Sequence, residues 1–302
     1  MPGCLLVPRQ QRLALGVLGL QRVRAEAPAV ATGAPTARGR GRLEVVVSRR
    51  ATDGLGWLGL LDGVEHSLWT ESRAPARAGR NASRWRAKPL TRGGGTTREC
   101  GGYLGFVVEN YDQLPDVAVF IHGEQSPHFT YAHAHSDPHI FHTIHAADLA
   151  PGHVDYCSLN FYYTDWREVG WHVNGWRREL ASADPARFGQ LLRTLPALPL
   201  GNGSACFCCA QFAVSRERLR AYPLEFYRQL LLFIMEDTGY NPWDDHMNPG
   251  LRDRSKNGRC DLMEPVWHLL FGLPAVCTKG RASCRALYEG GDTKDFTVDR
   301  HG

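Results

Sequence analysis

The segment from Arg98 to Ile121 constrains the fold of this chain more than any other. Tyr103, Phe106, Val107 and Tyr111, flanked by Leu104 and Val108, recur at helical spacing. Leu114-Pro115 ends that helix, because the residue before a proline is disfavoured in the helical region. Asp116 to Ile121 then reads DVAVFI, a short continuous apolar run of the kind that forms a buried strand. Upstream, Leu43-Glu44-Val45-Val46-Val47 is a β-branched run of strand length. A strand, a helix and a strand separated by tight breaks predict a crossover unit. That in turn predicts a parallel sheet with helices packed against it.

The rest of the chain extends this pattern. Residues 71 to 97 are polar and rich in Gly and Arg, and are read as long loops, with one short strand before them at Ser67 to Thr70. Asp137-Pro138 predicts a helix start, with the helix running to about Leu149. Tyr156 to Tyr163 and Cys206 to Val214 are strand-like, and Arg187 to Leu195 is helical, closed by Pro196. Ser215 caps the next helical stretch, and Leu224 to Glu236 carries Tyr227, Leu230, Leu231 and Ile234 on one side. A last helix is expected from Met263 to Phe271, ending at Gly272. The predicted fold is α/β, a single mostly parallel sheet flanked by helices over residues 43–290. A disordered basic arm is expected at 1–42 and a flexible tail at 291–302.

Charge and cysteine content limit the function classes. Seven arginines against one acid, Glu26, fall in the first 42 residues, so the body is close to neutral and a global nucleic-acid surface is not indicated. No apolar run approaches the ~20 residues that span a bilayer, so no transmembrane segment is expected. The arm reads as a signal sequence, an organelle transit peptide or an unstructured tail, and the first two would place the chain in the secretory pathway or an organelle. Nine cysteines are an odd count. Cys206, Cys208 and Cys209 sit in an apolar run, where cysteine behaves as a small hydrophobe; Cys206 and Cys209 also make a formal C-x-x-C.

Several places could carry chemistry. Phe120-Ile121-His122-Gly123-Glu124 puts His122 and Glu124 just past a buried strand, where α/β sheets bind ligands. The plainer reading is a surface turn. Glu264 and His268 are four apart on the last helix and so are expected on one face, as base and orienter, as two metal ligands, or as a local pair that positions the helix. Arg49, Arg98 and Arg216, at strand ends or helix starts, could hold phosphate oxygens in two-pronged fashion. In the His-rich stretch from Tyr131 to His145, Ile140, Phe141 and Ile144 take the core side, which leaves His139, His142 and His145 as a solvated face. His133 and His135 precede that helix as candidate ligands of a metal enzyme. Trp243-Asp244-Asp245-His246 lies in a loop where two acids could bind a divalent cation. Phosphate-loop, H-E-x-x-H and G-x-S-x-G motifs are missing, and no Asp-x-Asp follows Ile121.

Four blocks together resemble the domain of unknown function 3431 family. They are VVVSR at 45–49, RECGGYLGFVVENYDQLPDVAVFIHGE at 98–124, CCAQFAVSRERL at 208–219 and EPVWHLLFG at 264–272. The resemblance spans about 44 to 277. It departs after Val47, where the family shows Arg-Tyr-Asn-Glu and this chain has Arg49-Arg50-Ala51-Thr52. The order Arg98-Glu99, Tyr111-Asp112, His122 and Glu124 is also similar to bacterial rhamnan-synthesis glycosyltransferase domains. That likeness implies a GT-A-like fold, a nucleotide-sugar donor and a glycan acceptor. It implies Arg98, Glu99 and Arg49 on the donor, Glu124 and His268 as ligands of a divalent metal (Mn or Mg), and Glu264 with His122 in catalysis. A non-catalytic glycan- or partner-binding domain of the same fold is the alternative.

Overall fold

The computed structural model describes residues 42–49, 65–70, 84–87, 97–123, 154–159, 163–165, 179–195, 205–207, 210–236 and 258–278. All belong to one compact unit, Gly39–Gly302. The strands are β1 (Leu43–Arg49), β2 (Glu65–Thr70), β3 (Arg84–Ala87), β4 (Val117–His122), β5 (Tyr156–Ser158), β6 (Tyr163–Asp165), β7 (Ala205–Phe207) and β8 (Phe212–Ser215). The helices are α1 (Arg98–Asn110), α2 (Pro185–Thr194), α3 (Arg216–Arg220), α4 (Leu224–Met235), α5 (Gly258–Asp261) and α6 (Trp267–Leu270).

Six strands form the main sheet in the order β3-β2-β1-β4-β8-β5. β3, β2, β1 and β4 are parallel, in register Val45↔Val119 and Ser48↔His122 across the centre. The expected sheet is corrected on one side, where β8 runs antiparallel to both β4 and β5. β8 feeds straight into α3, and Ser215 caps that helix by accepting from the Arg218 N–H. β6 and β7 form a separate antiparallel ribbon, so the strand expected over 206–214 is two strands in two sheets.

α1 begins at the carboxyl edge of the parallel strands and runs back to their amino edge. Its first two turns are buried from Cys100 to Val107. Glycine lets it sit this close. A Cβ on Gly102 would lie 2.6 Å from Ser48 Oγ in β1, and one on Gly105 would lie 2.6 Å from the Trp69 ring in β2. Val46, Trp69, Tyr103, Phe106, Phe120 and Phe212 make the core between sheet and helix, and α4 closes it with Phe226, Tyr227, Leu230, Phe233 and Ile234. α2 starts two residues earlier than its apolar spacing suggests, because the Asp184 side chain accepts from the Ala186 N–H and Pro185 takes the first helical position. Among the described residues no helix is long and apolar enough to cross a membrane. The arm at 1–41, the His-rich helix at 137–149 and the loop at 243–246 lie outside the described residues.

Disulfides brace one end of this body. Cys100 at the start of α1 bonds Cys260 in α5, and Cys206 in β7 bonds Cys277. Cys157 is disulfide-bonded as well. The apolar-strand and C-x-x-C readings of Cys206 are therefore replaced by a covalent link 71 residues away.

Candidate functional site

β1 lies between β2 and β4, so the chain winds outward in both directions from the gap between β1 and β4. In α/β sheets a crevice opens at the carboxyl ends of the two strands flanking such a gap. Here those ends are Ser48 and His122, register partners, with the Gly123 N–H donating to the Ser48 carbonyl at 2.7 Å. The N-terminus of α1 arrives at the same edge. Its aligned peptide dipoles favour negative charge there, and Glu99 occupies the first turn.

Arg98 opens the helix in the left-handed region, with φ 50°, the only non-glycine positive φ among the described residues. Such a conformation is strained for any residue that carries a Cβ and is held only where its surroundings determine it. Glu99 acts on two neighbouring groups. The Tyr103 phenol is pushed well above its usual range by burial and then by the Glu99 charge. Glu264, half-buried, is pushed up to about 7 by burial and by Glu99, with Arg98 opposing. Arg98, Glu99, Tyr103 and Glu264 thus form one electrostatic group from two blocks far apart in the chain. The Cys100–Cys260 bond, with Cα atoms 5.8 Å apart, staples those blocks together.

Tyr103 also links this group to β4. Its ring centroid is 4.9 Å from Phe120, 6.4 Å from His122 and 6.3 Å from Trp267. The His122 backbone N–H donates to Gln211 Oε1 at 3.3 Å. Neither Tyr103 nor Trp267 stands out in the sequence, where both read as core aromatics. Their polar tips are a sign: among the described residues the Tyr103 hydroxyl and the Trp267 indole N–H are buried with no hydrogen-bond partner.

Glu264 and His268 do not share a helix face. Glu264 sits in a turn and α6 begins only at Trp267, because Pro265 has no N–H and disfavours a helical conformation at Glu264 before it. Glu264 meets Arg98 and Glu99, whereas a ring nitrogen of His268 lies within 4.8 Å of the sulfurs of Cys206 and Cys277. His268 is 1% exposed, and burial lowers its pKa to about 4, a hydrogen bond to the Ala275 backbone acting the other way. A second group within the same distance is Glu99, Cys100 and Cys260. In both groups the two sulfurs are bonded to each other.

The other expected site residues separate. Arg216 is at the opposite, amino edge of the sheet, paired with Asp116 at 2.9 Å and with the Leu114 carbonyl at 2.8 Å. It starts α3 at the end of an antiparallel strand, which is why it points away from the crevice. Arg49 is the last residue of β1, opposite Thr70, which puts its backbone at the carboxyl edge. Glu124, His133 and His135 lie outside the described residues.

The titration of Glu264 gives a direct check on this cluster. Its folded pKa of about 7 stands above the ordinary 4.5. Between those values the folded chain holds a proton that the unfolded chain has lost, so stability falls as pH rises. Glu264→Gln removes that dependence. The variant and the parent should melt together below pH 4.5, and by pH 7 the variant should melt several degrees higher, a gap of at most about 3 kcal/mol. Thermal melts between pH 4 and 8 measure it, and a constant offset would mean that the carboxyl is not perturbed.

No curated protein and no solved structure matches this chain. A family model does, over residues 45–286, the greater part of the sequence and every strand from β1 to β8. The chain belongs to the family described as protein of unknown function DUF3431.

Proposed function

We propose that this domain is a transferase that moves a sugar from a nucleoside-diphosphate donor to a hydroxyl acceptor at the carboxyl edge of β1 and β4. The observation that carries the reading is Glu264, a carboxyl whose proton affinity sits near neutrality, beside Arg98 and Glu99 at the start of α1. A group with a pKa close to the working pH can take a proton and give it back. Glu264 would accept the acceptor's hydroxyl proton as its oxygen bonds the anomeric carbon. The bond from that carbon to the diphosphate breaks, and the electron pair leaves with the diphosphate.

The departing diphosphate needs positive charge, which Arg98 and the positive end of α1 supply. A divalent cation, Mn²⁺ or Mg²⁺, would serve the same charge. Of its two expected ligands, His268 lies within 4.8 Å of the Cys206 and Cys277 sulfurs, and Glu124 is outside the described residues. His122, partly buried at the carboxyl end of β4, would position the donor, with the core residue Tyr103 packed behind it. The disulfides support maturation in an oxidising compartment, as expected of a secretory-pathway enzyme.

Calorimetry with a panel of nucleoside diphosphates, with and without Mn²⁺, tests the reading. Binding should be seen with at least one diphosphate, and Arg98→Ala should weaken it by tenfold or more, the worth of a charge-assisted contact. Absence of binding across the panel, or equal affinity of the variant, defeats the proposal. The missing Asp-x-Asp favours a second reading, a domain that binds without turnover. Nucleotide binding with no transfer to any acceptor would select it.

A further inference from the structure

The group at the other end of the 258–278 segment has no part in that reading. Cys206, 0% exposed, and Cys277, 4% exposed, approach each other on neighbouring backbones with Cα atoms 5.0 Å apart. Backbone hydrogen bonds hold the same frame alongside the sulfur–sulfur bond. The Ala205 N–H donates to the Ala275 carbonyl at 2.8 Å, and the Cys277 N–H donates to the Ala205 carbonyl at 2.8 Å. The Leu273 N–H donates to the His268 carbonyl at 2.9 Å, which ties the histidine into the same loop. Among the described residues His268 Nε2 is buried with no hydrogen-bond partner, so the bond to the Ala275 backbone falls to Nδ1. A buried imidazole with one nitrogen anchored on a carbonyl and a ring nitrogen within 4.8 Å of two sulfurs has the outer-shell arrangement of a metal ligand.

We propose that Cys206, Cys277 and His268 form a second site, which in the reduced chain binds one zinc-class cation and in the oxidised chain is closed by the disulfide. The donor set is two sulfurs and one nitrogen, which suits a borderline-soft ion such as Zn²⁺ and not the hard Mg²⁺ or Mn²⁺ that prefer oxygen. Two thiolates and a neutral imidazole around a dication leave no net charge. That matters where all three ligands are buried, because an uncompensated interior charge is expensive. With metal–sulfur distances of about 2.3 Å, tetrahedral geometry puts the sulfurs roughly 3.8 Å apart. Rotation of the two cysteine side chains supplies that separation with the backbone frame unchanged. The fourth position is left for water or an anion.

The interconversion balances with a named reductant. A phosphine attacks one sulfur and the S–S bond breaks. The phosphine takes the oxygen of one water and becomes the oxide, and each cysteine ends as a thiol. Binding the cation then releases one proton from each thiol.

Cobalt(II) is the probe, because thiolate-to-cobalt charge transfer and the intense visible bands of tetrahedral cobalt report sulfur ligation directly. The full chain is titrated before and after anaerobic phosphine reduction. No thiolate band is expected before reduction, and one equivalent of cobalt with that band after it. Zinc should displace the cobalt. The Cys206→Ser/Cys277→Ser double variant should lose the band, and His268→Gln should weaken uptake at least tenfold. Circular dichroism follows the fold of each sample. Three results would overturn the proposal: a band that persists in the double variant, which would place the metal at Cys100, Cys260 or another pair; uptake by the His268 variant equal to the parent; or a chain that unfolds on reduction before taking up cobalt.

Discussion

Replacing Glu179 by alanine should destabilise the fold by about 3–5 kcal/mol, the cost of leaving one member of a buried ion pair without its partner. Arg259 in α5 donates to Glu179 through Nε at 2.7 Å, with both side chains about 5% exposed. Its other contacts carry no compensating charge. Nη1 donates to the Phe233 carbonyl at 2.5 Å, and the guanidinium lies 3.9 Å from the centre of the Phe233 ring. Removing the carboxylate therefore strands a cation between α4 and α5. The chain should melt roughly 6–20 °C lower. The double replacement Glu179→Ala/Arg259→Met tells charge from packing. With no charge left to strand, it should recover most of the loss, because a buried pair exchanged for apolar groups is often close to neutral. Losses that simply add would show that the two side chains are not coupled.

The parallel half of the fold was legible because its signals are local. β1, α1 and β4 each carry their own apolar period and their own stop, and Leu114-Pro115 falls where α1 gives way to a short 3-10 turn at Tyr111–Gln113. β3 was not legible, since four residues reading Arg-Trp-Arg-Ala between polar loops have no period to detect. Nor was the direction of β8, because a continuous apolar run forms a parallel or an antiparallel strand equally well; its partner β4 decides it. The site was legible in part. Arg98, Glu99 and Glu264 could be named from the sequence, but their meeting depends on a covalent link over 160 residues that no spacing reveals. The pairing of Glu264 with His268 failed for a local reason that was visible, the proline at 265, whose effect on the residue before it outweighs helical periodicity. Cys206 was misread because a buried half-cystine and a buried small hydrophobe look alike in an apolar run.

That covalent link leads to the second large effect. Cys100→Ser should lower stability by about 2–5 kcal/mol, because a bridge closing a long loop removes much freedom from the unfolded chain. The loop here spans 160 residues. Chain entropy alone gives about 5 kcal/mol for such a loop, and the remaining disulfides reduce this by already shortening the free path. The bridge also fixes geometry. Cys100 follows Glu99 directly, and Cys260 is four residues before Glu264, so the bond sets how closely the two carboxyls are held. Loss of the bond should relax that approach and weaken both the burial and the Glu99 repulsion that keep a proton on Glu264 near neutrality. Two measurements on the Cys100→Ser/Cys260→Ser variant separate these consequences. Its melting temperature should fall by roughly 4–20 °C. In addition, the pH-dependent gap between Glu264 and Glu264→Gln forms should shrink when measured in this background. A large fall in melting temperature with an unchanged gap would mean that the bridge supports the fold alone, and that the packing of α1 against the 258–278 segment sets the distance between Glu99 and Glu264 by itself.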